Sequence, residues 1–302
     1  MKYFLSSLFI FFLALTVFFS SCKKDPLYID HHKDTTITGN NPPPYHGISD
    51  LQVKLYINKL HVDLLGREAT VTELDSDFVF LKANNLSITA REVIANSLLN
   101  LNEFYKRLFD LTSSDMTNSV DSTTIAQEII QYQYFYYFDS LNGNYQNFPY
   151  YIYEINRMSN LLNAEDNLES NTIDLREFYR RFMDNYFYDE VNMGTENFVK
   201  GSFDDLYMRN PTDYELQQSE NMVDGGASLL FDQSGNSKGD YENIMVGSAE
   251  FTEGFIRKCF QQFMLRQPTS SEMGLANQQI SVALDWKTFL KQLVSTDEYA
   301  GF

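Results

Sequence analysis

Few side chains in this sequence are placed to do covalent chemistry. Its 302 residues hold two cysteines and four histidines. Cys259 stands among Phe255, Phe260 and Phe263, where a buried, inert thiol is expected. His31, His32 and His46 fall in a polar, irregular stretch with no cysteine or acidic spacing to complete a metal set. The segment from Asp232 to Asp240 has an acidic, calcium-like flavour. Counted from Asp232, however, an EF-hand would need glycine at its sixth place and glutamate at its twelfth, and Ser237 and Asn243 stand there instead. The chain contains no P-loop, H-E-x-x-H or C-x-x-C-H string. Acid pairs such as Asp189-Glu190 and Asp204-Asp205 could serve glycoside hydrolysis, but among 41 acidic residues any pair is uninformative. The expectation is a non-enzyme with no cofactor and no metal.

The side chains suited to recognition are tyrosines. Between 132 and 155 nearly half of the positions are aromatic. Tyrosine joins stacking area to a hydrogen-bonding tip at low entropic cost. Tyr132, Tyr136, Tyr150, Tyr151 and Tyr153 are therefore the candidate surface for a ligand or partner. The same rings could equally be filler between helices, and the sequence leaves both readings open.

A different kind of chemistry is offered at the N-terminus. Lys2 precedes an apolar run from Phe4 to Phe19, and Ser20, Ser21 and Cys22 follow. A basic start, an apolar centre of about 16 residues and small residues before a cut make a secretory signal, too short for a usual membrane span. With the cysteine directly after the small pair, it resembles a bacterial lipoprotein signal. Phe19 replaces the usual Leu and Ser21 the usual Gly or Ala. The resemblance implies that Cys22 is acylated, and that Lys23 after it favours the outer membrane. Each buried methylene of the acyl chains adds about 0.8 kcal/mol to anchoring. From Lys23 to about Gly47 the chain is polar and holds four of the seven prolines, as a tether does. About 26 extended residues reach up to roughly 85–95 Å.

Beyond the tether, one string recurs. Arg67-x-x-Thr70-x-x-Glu73-Leu74 returns as Arg209-x-x-Thr212-x-x-Glu215-Leu216 and as Arg266-x-x-Thr269-x-x-Glu272-Met273. Eleven residues before each arginine stands an aromatic, namely Tyr56, Phe198 or Phe255. Apolar residues at spacings of three and four make these flanks amphipathic helices, and Thr-x-x-Glu predicts a capping box on the next helix. Each arginine suits the negative end of a helix dipole or pairs with a carboxylate. Glu103-Phe104, Glu250-Phe251 and Glu298-Tyr299 close the copies. His61 occupies the place of Phe203 and Phe260, so a core histidine is expected there.

These units, with Leu65-Gly66-Arg67 near one end and a Ser-x-Glu-Phe pattern near the other, resemble a helical domain of unknown function found in bacterial exoproteins. That domain is itself similar to phycobilisome linker domains. The resemblance implies an all-α module for assembly or display and carries no catalytic residue.

The predicted organisation is all-α: signal peptide 1–21, lipidated N-terminus and tether 22–49, helical repeat 50–110, Tyr-rich helical insert 111–195, and further repeats 196–252 and 253–302. The net charge of −18 sets nucleic acid aside as a partner. The expected partners are the membrane, through the lipid, and either an envelope protein or a glycan. The expected address is the outer membrane, facing the periplasm or the cell surface. If Cys22 carries the lipid, Cys22→Ala abolishes labelling by radioactive palmitate and moves the protein from the membrane to the soluble fraction; unchanged partition would refute the anchor.

Overall fold

The computed structural model describes residues 47–283 and 285–302. Cys22, the signal segment, His31, His32 and His46 lie outside the described residues. Residues Ile48–Phe302 form one unit, with sixteen α-helices and one short β-hairpin among the described residues. The all-α class is therefore correct.

The first helices follow the expected periodicity. Helix α1 (Asp50–Leu65) starts at a Ser49–Gln52 capping box and buries Val53, Tyr56, Ile57, Leu60 and Leu64. It is followed by α2 (Val71–Ala83), α3 (Ile88–Leu98) and α4 (Asn102–Met116). A long pair, α5 (Ser122–Leu141) and α6 (Phe148–Leu162), leads to three short helices, α7 (Ala164–Glu169), α8 (Leu175–Met183) and α9 (Tyr186–Val191). Then come α10 (Thr195–Tyr207), α11 (Asp213–Val223), strands β1 (Ser228–Leu230) and β2 (Gln233–Gly235), α12 (Lys238–Gly247) and α13 (Ala249–Cys259). Helix α13 runs on into a π-helical turn, Phe260–Met264, before α14 (Ser270–Ala283), α15 (Trp286–Leu293) and α16 (Asp297–Ala300).

Three corners share one hydrogen-bond set. The chain leaves α1, α10 and the π turn through left-handed backbone at Gly66, Met208 and Leu265, with φ of 74°, 57° and 56°. The next residue each time is the arginine. Its two Nη atoms donate to both oxygens of one glutamate, at 2.8 and 2.9 Å for Arg67–Glu73, 2.8 and 2.7 Å for Arg209–Glu215, and 2.9 and 2.7 Å for Arg266–Glu272. The same glutamate accepts the N–H of Thr70, Thr212 or Thr269 at 2.7 Å, completing the expected capping box. The arginine Nε donates to a second glutamate, Glu103 at 3.1 Å, Glu250 at 2.7 Å or Glu298 at 2.6 Å. That partner lies 36, 41 or 32 residues further on. The arginines therefore pair with carboxylates rather than only facing a helix dipole. Hydrogen bonding from the arginines holds the Glu215 and Glu272 carboxyls down to about 2.

The glutamate-bearing motifs open helices instead of closing them. For that reason α4 runs across the 110/111 boundary and α13 across 252/253. Near the end of α4, Ser113 and Thr117 are buried and their hydroxyls bond the carbonyls of Val120 and Ser113. The segment after Asp232 is no calcium loop. It belongs to the antiparallel β1–β2 hairpin, whose two turn residues Phe231 and Asp232 both have positive φ, at 49° and 60°, as a tight hairpin turn requires. Asp240 there accepts the Asn236 N–H at 2.9 Å.

Packing joins the first and last of the described helices. The Tyr56 hydroxyl donates to the Val294 carbonyl, Tyr299 to Asp63 at 2.8 Å, and Trp286 stacks on Phe104. Helices α10 and α13 cross so closely that a Cβ on Gly254 would stand 1.9 Å from the Leu206 carbonyl oxygen. His61 is buried, with Nε2 3.4 Å from Asp77, as its register suggests. Removing the least exposed clamp, by Arg209→Ala, is expected to lower stability by about 2 kcal/mol. Arg209→Lys should recover less than half of that, because an ammonium lacks the fork. Leu265→Gly, at a left-handed and 87% exposed position, should raise stability by about 0.5 kcal/mol. Urea midpoints of the three variants check all of these.

Candidate functional site

The tyrosine-rich segment folds into a helical hairpin whose two halves behave differently. Helix α5 starts at Asp121, which accepts the Thr124 N–H at 2.7 Å. Its buried residues, Ile125, Ile129 and Tyr132, all lie within its first eleven positions, and none follows Tyr132. Helix α6 is the mirror case, burying Glu154, Arg157, Met158 and Leu161 near its C-terminal end. The distal lengths, 133–141 and 145–153, therefore cover each other rather than the body. Their rings interlock, with Tyr136 and Phe148 centroids 4.1 Å apart and Phe135 and Tyr151 6.1 Å apart.

What the rings leave outside is large and nearly uncharged. Half or more of Tyr134, Tyr137, Phe138, Tyr145, Tyr150 and Tyr153 is exposed. Ile130 and Leu141 extend the same surface. The only charged residue from 133 to 153 is Asp139, and it accepts the Tyr151 hydroxyl at 3.0 Å. Contiguous exposed apolar surface of this kind marks a site of association.

The five tyrosines singled out by sequence divide. Tyr132 is buried, its edge against Tyr150 and Tyr186 and its hydroxyl 3.1 Å from that of Tyr150. It supports the hairpin and cannot be a contact surface. Tyr136 is half-covered by Phe148, and Tyr151 is half-buried. Tyr150 and Tyr153 are open. Sequence reasoning missed Tyr134, Tyr137 and Phe138. No signal in the sequence could have told the sides apart, since Ile130, Tyr134, Tyr137 and Leu141 repeat on the outer side with the same spacing as Ile125, Ile129, Tyr132 and Tyr136 on the inner one.

An ion network anchors the foot of the hairpin. Buried Arg157 donates to both oxygens of Glu154 at 2.7 and 2.8 Å and to Asp189 at 2.7 Å, with the Tyr153 ring 4.9 Å from its guanidinium. Lys238 pairs with Asp189, and Arg180 with Glu177 and Asp184. Glu242 is buried beside them with no hydrogen bond at Oε1, Arg180 standing 3.8 Å and Lys238 4.0 Å from its carboxyl. Burial, aided by the Asp184 charge, pushes its carboxyl up to about 8. Cys259 is buried, and desolvation raises its thiol well above the ordinary range, which leaves little thiolate to react.

Among the described residues, no group of three or more His, Cys, Asp or Glu side chains is placed to hold a metal ion, and no helix is long and apolar enough to cross a membrane. Compared with protein-family models, with curated proteins and with solved structures, the chain matches none.

The buried Glu242 has a consequence for stability. It stays protonated in the folded protein to about pH 8 but ionises near 4.5 when unfolded. Folding binds a proton across that window, so this group's contribution to stability falls as pH rises through it. Glu242→Gln should remove the dependence. Its urea midpoint is expected to gain on the native protein by up to about 1 kcal/mol per pH unit between those limits; parallel pH profiles would disprove the assignment.

Proposed function

We propose that this chain is an envelope lipoprotein that acts by association rather than catalysis, engaging a partner protein through the distal α5–α6 hairpin. The observation that carries the reading is the exposed aromatic surface of Tyr134, Tyr137, Phe138, Tyr145, Tyr150 and Tyr153. A chain with 41 acidic residues could have covered these positions with charge. Instead it holds a stretch with one charge, itself bonded to Tyr151. Such rings are the residues that dominate protein interfaces.

In this reading Cys22 carries the lipid at the outer membrane and residues 23–49 are the tether. Three related helical units, each cornered by an Arg–Glu–Glu clamp, form the scaffold around the aromatic insert. The recurrence of one clamp at Arg67, Arg209 and Arg266 supports the repeat. A catalytic role draws no support from it, because each of these charged side chains is engaged in holding a corner.

A second reading is favoured by one detail. On α6 the open rings of Tyr150 and Tyr153 stand beside hydrogen-bonding groups, with the Tyr153 hydroxyl 3.5 Å from Asp184, and a ring next to a carboxylate suits a sugar. The two readings separate experimentally. A benzophenone amino acid at Tyr137 is expected to give one discrete crosslinked band on intact cells, lost when Tyr134 and Phe138 become serine, with the thermal midpoint unchanged. A bare Tyr137 position, together with glycan-array binding that Tyr150→Ala and Tyr153→Ala abolish, would select the sugar.

A further inference from the structure

Away from the hairpin, the body holds a half-open cavity of about 410 Å³. It lies between α4 and the end of α13, with α1, α8 and α15 closing its sides. The walls are apolar, with Leu64, Phe104, Leu111, Phe255 and Phe263 among them. A space of this size and lining is that of a small-molecule site.

Three features set it apart from a packing fault. The first is Arg107, which lines the cavity with its Nε buried and without a hydrogen-bond partner. The side chain as a whole is only partly buried, but an Nε–H shut away from water without a partner is costly, and an acceptor in the cavity would satisfy it. The second is the state of the other charged groups there. Asp63 accepts the Tyr299 hydroxyl at 2.8 Å, and Asp115 pairs with Lys258 at 3.1 Å. Neither carboxylate reaches Arg107 within ion-pair distance. The third is the backbone. The π turn Phe260–Met264 interrupts α13 at this point and brings Gln261, Gln262 and Phe263 to the cavity; π turns recur at functional sites. Gln261 and Gln262 are exposed and so form its wet mouth. On the far side of Arg107, Gly66 leaves room for it, since a Cβ there would press on the Arg107 Cδ at 3.1 Å.

We propose that this cavity binds a small amphipathic carboxylate of the fatty-acid class, its chain between α4 and α13 and its carboxylate on Arg107. An uncharged apolar molecule would leave the guanidinium unpaired. A dianion such as a phosphate monoester would meet Asp63 and Asp115, whereas one planar carboxylate matches one guanidinium fork.

The test uses the full chain and lauric acid bearing a photoactivatable diazirine on its alkyl chain, with adducts mapped by mass spectrometry. Adducts are expected on Phe104–Leu111 and Phe255–Phe263. Lauric acid should compete about tenfold better than dodecanol, which lacks the anion. Arg107→Leu should reduce those adducts by a similar factor without lowering the thermal midpoint. Adducts only at other residues, or equal competition by acid and alcohol, would overturn the proposal. The competition is read on the unmodified protein, so it decides the matter even if Arg107→Leu fails to fold.

Discussion

A guanidinium held by two glutamates is the constraint on which the helical framework depends. Helix corners are difficult places in an all-α protein, because the carbonyls ending one helix and the N–H groups starting the next both lack partners. At Arg67, Arg209 and Arg266 one side chain ties the start of the next helix to the start of a distant one. It bonds the carboxylate that caps the following helix, and it reaches a second carboxylate at the start of a helix dozens of residues away. Arg67 and Arg266 each make five such N–H bonds, four to the two carboxylates and one to the carbonyl of the next residue. Lysine could supply the charge but not the geometry. The clamp also outweighs the local cost of left-handed backbone at Met208 and Leu265, residues that do not favour it.

With the corners set, the apolar stripes have one way to meet. Tyr56, Phe198 and Phe255 are buried, as are Phe104, Phe251 and Tyr299 after the second glutamates. The framework joins its ends, through Tyr56 to Val294 and Tyr299 to Asp63. A body closed in this way can carry appendages that contribute little to its core. The α5–α6 hairpin is one, rooted by Tyr132 and the Arg157 network and bare beyond them.

Much of the framework was legible from the residues. The capping boxes followed from Thr-x-x-Glu, the burial of His61 from its register with Phe203 and Phe260, and the helices from three- and four-residue spacing. The aromatic segment was legible only as a segment. Tyr132 was taken with the surface and is buried, while Tyr134, Tyr137 and Phe138 were passed over and are exposed. Composition is the same on both sides of α5, so nothing in the list of residue types says which ring faces the body. The burial of Ser113 and Thr117 is illegible for a different reason. Their hydroxyls are satisfied by carbonyls of their own neighbourhood, which a polarity count reads as exposure.

The sequence by itself determined the local events. A helix begins where a threonine and a glutamate can trade hydrogen bonds across three residues, and that exchange needs nothing distant. Tertiary structure decided everything that depends on separation in space. It alone brought Glu103, Glu250 and Glu298 to their arginines across 36, 41 and 32 residues, turned one side of the tyrosine helix outward, and left Arg107 unpaired in an apolar cavity. The physical reason is that a capping bond is set by backbone geometry over a single turn. A clamp, a bare face or a cavity exists only once several helices have packed and excluded water between them.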